Sequence, residues 1–419
     1  MVCLTVLALF AAAPNVVFIS CDTLRPDHLG CYGYDENTSP ALDRLAAQSL
    51  VFDDAICEVP LTNPSFVSMM TSRVPRMTGA TRNGLRLPGS VPTLAEQFHN
   101  AGYETICVQS NWTLKARLSG LERGFDVYED DFHTGRWGVI KSERYADEVS
   151  RIALDLLARR DADRPLFAWI HYSDPHAPYR FHSATYPAGT SRWRMNQADR
   201  TRALYDSEIA FMDSNLGRVL DALPKENTYI VFVADHGESL YEHNYLGHGR
   251  RLYQAGVHIP LMICGPGVSP GRSAAPARGL DVAPTILGLA GLAPLPGALG
   301  VDLLHTSLAQ NRQRVIETYG GAVPRVPGAR ALMSGSHPQR QGVLVDGWKL
   351  ILTGNKAELF DLKNDPQEVK NLAPGAGERV KALSAVIHEW NTRMPKGHAH
   401  DATLTGDDMS ALESLGYLK

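Results

Sequence analysis

The feature that most limits what this chain can fold into is the stretch Thr228-Tyr-Ile-Val-Phe-Val-Ala234, which stops abruptly at Asp235-His236-Gly237-Glu238. A continuous apolar run of this length predicts a buried strand. Its polar ending predicts delivery of a carboxylate and an imidazole to the edge of an open α/β sheet, where such sheets place ligands. Asp-His-Gly alone is often no more than a polar turn. Here it has a counterpart, because Asn15-Val-Val-Phe-Ile-Ser20 predicts a second apolar strand that breaks into Cys21-Asp22-Thr23-Leu24-Arg25-Pro26-Asp27. Together the two endings predict a shared metal site.

The remaining pattern alternates strands with helices. Ser39-Pro40 opens a helix with a buried stripe of Leu42, Leu45 and Ala46, Leu50 to Ile56 reads as a strand, and Thr62 or Asn63 caps a helix opened by Pro64. Helices are expected from Val91 to Gly102, Glu143 to Ala158 and Asn196 to Leu223, with strands at Tyr103 to Gln109 and Pro165 to His171. This order implies a doubly wound, mainly parallel sheet with its site at the strand C-terminal edge. A Pro- and Gly-rich passage from Gly291 to Gly300 is the candidate hinge. Beyond it, segments 341–346, 348–353 and 357–361 read as antiparallel strands covered by a helix from Gly375 to Met394. The expected organisation is an α/β domain over 14–310, a smaller α+β subdomain over 311–400 and a tail over 401–419.

Composition excludes little but does so clearly. A formal charge of −4 over 419 residues provides no basic field, so nucleic acid is not an expected partner. Six cysteines at 3, 21, 31, 57, 107 and 264 form no CxxC pair and no regular framework. The apolar run over residues 1–13 ends in three alanines like a signal-peptide remnant, although no Lys or Arg precedes it; it favours a periplasmic or secreted location over a cytoplasmic one. No segment is long enough to span a bilayer. Arg325, Arg330, His337 and Arg340 form a basic stretch that could select anionic substrates, though such a stretch is commonly a solvated surface.

Taken in order, the Asp22 loop, Thr62-Asn-Pro-Ser65, Asp174-Pro-His176, Asp235-His236-Gly, Gly247-His248-Gly, and Leu252-Tyr253 before His258-Ile-Pro-Leu-Met-Ile263 resemble the sulfatase family of the alkaline phosphatase superfamily. Gly347-Trp348-Lys349-Leu350, Glu358-Leu359-Phe360-Asp361-Leu362, Asp365-Pro366, Glu368 and Asn371-Leu372 are similar to that family's C-terminal subdomain. The resemblance implies an alkaline-phosphatase-like fold. It also implies a divalent cation held by Asp22, Asp235 and His236, with Thr62 as the nucleophile sharing that cation. His176 and His248 match positions that contact the ester oxygens or protonate the leaving group. Asn111, Asp174 and His243 are candidates for substrate contact, and a second cation would draw on Asp174, His176, His243 and His248.

The departures from the family pattern shape the chemistry. Thr62 stands where sulfatases carry the Cys that becomes formylglycine, so no formylglycine is expected and a covalent adduct must be cleared by water attacking the central atom. Phe66 stands where an Arg would be, Thr23 where a second acid would be, and His248 where a Lys would be. A mixed oxygen and nitrogen ligand set favours zinc or manganese over calcium or magnesium. The reading is therefore a metal-dependent hydrolase of a phosphate mono- or diester or a sulfate ester, with an anionic small molecule, glycan or lipid headgroup as substrate. A phosphoryl transferase acting on an acceptor alcohol would use the same residues, and an inactive sulfatase-like binding protein is the third alternative.

Overall fold

The computed structural model describes residues 13–131, 143–183, 195–320 and 338–414; the N-terminal run 1–12, Arg325, Arg330, His337 and 415–419 lie outside the described residues. Eight strands form the main sheet: β1 (Asn15–Cys21), β2 (Leu50–Ile56), β3 (Glu104–Val108), β4 (Val127–Glu129), β5 (Leu166–Tyr172), β6 (Thr228–Ala234), β7 (Leu261–Cys264) and β8 (Gly271–Arg278). Their spatial order is β8-β2-β7-β6-β1-β5-β3-β4. Every strand but β7 runs the same way, since β7 is antiparallel to both β2 and β6. The fold is thus an alkaline-phosphatase-like α/β sheet, mainly parallel, with a second antiparallel sheet on its C-terminal side.

The apolar runs explain the centre of the sheet. In β1 all residues after Asn15 are buried, and so is every residue of β5, as expected of strands covered on both faces. Burial of each large aliphatic or aromatic side chain there contributes about 1.5–3 kcal/mol. Principal helices flank the sheet: α1 (Pro40–Ala46), α2 (Thr62–Thr71), α3 (Leu94–Asn100), α4 (Ala146–Arg159), α5 (Gln197–Ala222) and α6 (Val282–Leu289). Their starts follow local chemistry. Thr93 and Glu96 close a capping box on α3, and the Asn196 side chain accepts from Asp199 N to cap α5. The α3 segment ends before Gly102, whose φ of +85 suits a residue without a side chain. Ten consecutive buried residues make α2 a core helix rather than an amphipathic one.

The register brings the functional endings together. Cys21 pairs with Tyr172 on one side and Ala234 on the other, so the loops after β1, β5 and β6 leave the same edge side by side. The second sheet comprises β9 (Arg314–Thr318), β10 (Arg340–Val345), β11 (Trp348–Thr353) and β12 (Lys356–Asp361), all antiparallel, with helix α7 (Gly377–Arg393) packed over it through Leu383 and Ile387. Arg340 sits in β10, where its Nε donates to Thr353 Oγ1 at 3.1 Å.

Candidate active site and metal centre

Asp22 follows β1 and Asp235 follows β6, and both are fully buried with His236. The loop after β1 turns through Thr23, a β-branched residue at φ +55, a conformation such residues rarely adopt. That turn is held from both sides: Thr23 N donates to Asp235 Oδ1 at 3.1 Å, and Tyr205 Oη donates to the Thr23 carbonyl at 2.7 Å. Asp235 Oδ1 also accepts from His236 N at 2.8 Å, while the Asn111 amide donates to Asp22 Oδ2 at 2.5 Å. One oxygen of each carboxylate is therefore used to fix its rotamer.

The other oxygens, Asp22 Oδ1 and Asp235 Oδ2, are buried and have no hydrogen-bond partner. His236 Nδ1 donates to the Gly237 carbonyl at 2.9 Å, which leaves Nε2 with its lone pair facing inward. Nε2 lies 3.3 Å from Asp235 Oδ2 and 3.7 Å from Asp22 Oδ1. Tetrahedral ligands about 2.1 Å from an ion are about 3.4 Å apart, so the spacing fits one small cation. Burial, and next the neighbouring Asp22, push the Asp235 carboxyl well up; burial likewise raises Asp22. Burial and the adjacent His248 push His236 down, so its imidazole is neutral, as a ligand requires. Two adjacent buried carboxylates are strongly unfavourable unless positive charge compensates them. Both the orphaned oxygens and the donor set fit a divalent cation. Among the described residues, this is the one group of metal-ligating side chains that converges.

Thr62 stands beside it. Its Oγ1 is 3.4 Å from His236 Nε2, at the start of α2. The expectation that Thr62 or Asn63 caps this helix is corrected: Leu61 occupies the cap position and no side chain bonds there, so the Thr62 hydroxyl is not spent on capping. Phe66, in place of the family's Arg, is fully buried edge-on to His171 and against Trp169, so it belongs to the core beneath the site.

Two further imidazoles complete the cluster. The His248 ring centroid lies 4.6 Å from that of His236 and 5.0 Å from that of His176. Each has a carboxylate behind it that the sequence reasoning missed. Glu238 Oε1 accepts from His248 Nδ1 at 3.0 Å, and Glu143 Oε1 lies 3.0 Å from His176 Nδ1, which also donates to the Ala177 carbonyl at 2.6 Å. Burial alone would depress His176, but Glu143, with Asp22 and Glu238, raises it to about 10. Glu238 was visible on the Asp235 loop. Glu143 carried no signal, since a backbone bridge to Asn111 is what sets it beside His176.

Three further candidate positions have partners within the fold. The Asn111 amide donates to Asp22 Oδ2, and its Oδ1 accepts from Thr113 N at 2.9 Å. Asp174 Oδ1 accepts from Ala146 N at 2.9 Å at the start of α4, while its Oδ2 is buried with no hydrogen-bond partner. His243, at φ +53, turns away from the cluster and stacks on Tyr253 with centroids 3.7 Å apart, lining a separate 560 Å³ cavity between the two sheets. Among the described residues, Asp174, His176, His243 and His248 do not converge as a second group of metal-ligating atoms.

A buried threonine hydroxyl lies beside a carboxylate and imidazole cluster at the edge of an alkaline-phosphatase-like sheet, a fold and site shared by ester-cleaving enzymes. The sulfatase family model matches residues 14–292, and the chain belongs to the sulfatase family. It is 25% identical over 434 residues to the choline-sulfatase of Rhizobium meliloti (strain 1021), covering 86% of this chain and 82% of that protein. It is 24% identical over 446 residues to the Delta 4,5-hexuronate-2-O-sulfatase of Bacteroides thetaiotaomicron, covering 91% and 89%. The crystal structure of the phosphonate monoester hydrolase of Agrobacterium radiobacter superposes with a TM-score of 0.73 at 20% identity, covering 91% of this chain and 95% of that one, which shows a shared fold.

Proposed function

We propose that the chain hydrolyses phosphate or sulfate esters by attack of Thr62 Oγ1 and depends on one divalent cation held by Asp22, Asp235 and His236. The observation that carries this reading is the pair of buried, partnerless carboxylate oxygens facing His236 Nε2 with Thr62 Oγ1 3.4 Å from that nitrogen. A cation bound there supplies positive charge that favours the Thr62 alkoxide and screens an approaching anionic ester.

The chain's own residues divide the rest of the work. The Thr62 alkoxide, its proton already given up to solvent, bonds to the central phosphorus or sulfur as the bond to the alcohol oxygen breaks, and the alcohol leaves with a proton from His176. Water then attacks the same atom, the bond to Thr62 breaks, and the water's proton goes to His176, which restores the starting state. The Ala177 carbonyl keeps His176 Nδ1 oriented, and the Glu143 carboxylate 3.0 Å away favours the protonated ring. His248, held through Nδ1 by Glu238, presents Nε2 to the ester oxygens. A threonine ester has no route to release other than displacement at the central atom, which favours phosphorus. Glycan or small-molecule esters are the expected substrates.

Purified protein should cleave nitrophenyl phosphate, and nitrophenyl sulfate more slowly, with activity abolished by chelator and restored by zinc or manganese. Turnover that survives Asp235→Ala would sink the assignment. Elemental analysis finding stoichiometric calcium would refute the choice of metal.

A further inference from the structure

Residues 397–411 return from the second sheet to the main one and meet the Thr62 loop by two routes. In the first, His400 and Asp401 pair with Arg86 and Leu85 as a short antiparallel ladder, and Ala402 N donates to the Gly84 carbonyl at 3.0 Å. That same strand holds the residue after the nucleophile: Asn63 N donates to Asn83 Oδ1 at 3.0 Å, and Asn63 Nδ2 to the Leu85 carbonyl at 2.9 Å. In the second, Ala402 and Ala411 pack in one buried cluster with Val59, Leu61, Trp112 and Leu118. Leu61 immediately precedes Thr62, and Trp112 immediately follows Asn111, whose amide fixes the Asp22 rotamer.

The anchor is Asp408. Its carboxylate is wholly buried and accepts from Trp112 Nε1 at 2.8 Å, from Thr405 N at 2.6 Å and Thr405 Oγ1 at 2.8 Å, and from the Arg117 guanidinium. Asp408 N in turn donates to Thr405 Oγ1 at 3.3 Å, so the carboxylate closes the first turn of the terminal helix and ties it to the Asn111 turn at once. The approach is close throughout. Gly397 N donates to the Arg76 carbonyl at 2.8 Å, and a Cβ on Gly397 would lie 1.9 Å from the Met77 carbonyl oxygen. Packing of this kind exceeds what a loosely appended tail requires, and its contacts fall on residues flanking Thr62 and Asn111.

We propose that residues 397–411 form a clamp that sets the position of the Thr62 loop and the Asn111 turn relative to the metal ligands, with Asp408 as its positioning residue. The proposal rests on Thr62 being the nucleophile. A shift of about 1 Å at a reacting group lowers the rate by about 10²-fold, so loosening the clamp acts on kcat more than on KM. Full-length Asp408→Ala should lose about 10²-fold in kcat for nitrophenyl phosphate with little change in KM, and Asp408→Asn, which retains an acceptor for Trp112 and Thr405, should recover most of it. In Asp408→Ala, hydrogen exchange should quicken at 61–65, 83–86 and 110–114 while β5 stays protected. Unchanged kcat, or unchanged exchange at 61–65, overturns the clamp. If Asp408→Ala fails to fold, native-state exchange of the wild type decides: amides of 400–411 and of 61–65 should open with one shared free energy, and independent opening overturns it. The exchange readout needs no substrate, so failure of the Thr62 assignment would show separately, as turnover surviving Thr62→Ala.

Discussion

Two charged regions of this molecule are built from similar residues and have opposite characters. The cavity between the sheets is lined by Asp27, Asp53, Asp54, Glu242, Asp346 and Glu368, and each has a basic partner. Arg25 lies 2.7 Å from Asp27 and 2.9 Å from Glu242, Arg314 lies 2.6 Å from Asp54, and Lys349 lies 2.7 Å from Glu368. Arg272 meets Asp53 and Lys363 meets Asp346. At the sheet edge, Asp22 and Asp235 are more deeply buried and yet each leaves an oxygen without a partner, beside an imidazole that burial keeps neutral. A cluster in which every acid has a basic partner joins two parts of a fold. One whose acids lack a basic partner, rigidly held, is a site for something else, and the presence of a cavity is no guide to where the chemistry lies.

That contrast can be tested by removing one group at a time. The largest effect is expected at the edge: Thr62→Ala should lower kcat/KM for nitrophenyl phosphate by about 10³-fold or more with the melting temperature little changed, since a nucleophile contributes to the reaction and little to packing. In the cavity the effect should be on folding. Lys349→Met leaves Glu368 buried without its cation, which should cost about 3–5 kcal/mol in denaturant unfolding while the folded fraction keeps its turnover.

Asn111→Ala comes next, because it frees the Asp22 rotamer without removing a ligand; metal affinity measured by chelator competition should fall about 10–100-fold. A pH-dependent effect is expected at Asp174, whose carboxyl burial raises to about 8. A carboxyl that binds its proton more tightly folded than unfolded makes stability fall as pH rises from about 4, the unfolded value, to about 8. Asp174→Asn, which retains an acceptor for Ala146 N, should flatten that part of the stability profile, and an unaltered slope would count against the assignment.

The same contrast explains what could be read from the sequence. Asp22 and Asp235 were legible because each interrupts an apolar run, and a buried strand that breaks into an acid has few structural uses. The parallel sheet followed from the alternation of strands and helices, although the reversed direction of β7 did not, since an apolar run reads alike both ways. Side-chain direction was hidden. His243 and His248 share one loop, but the left-handed turn at His243 sends its ring to Tyr253. Glu143 could not be found because only the fold brings it within 3.0 Å of His176, 33 positions along the chain. The 401–419 segment read as a tail because a two-residue strand and a small apolar cluster leave no periodic signal.

The central claim is that Asp22, Asp235 and His236 form the place for one divalent cation. Chelator-stripped protein titrated with zinc or manganese and followed by isothermal calorimetry and melting temperature tests it without any substrate. Wild type should bind one equivalent and melt at a higher temperature, whereas Asp235→Ala should show neither response. Equal binding by the two proteins, or none by the wild type, would contradict the account.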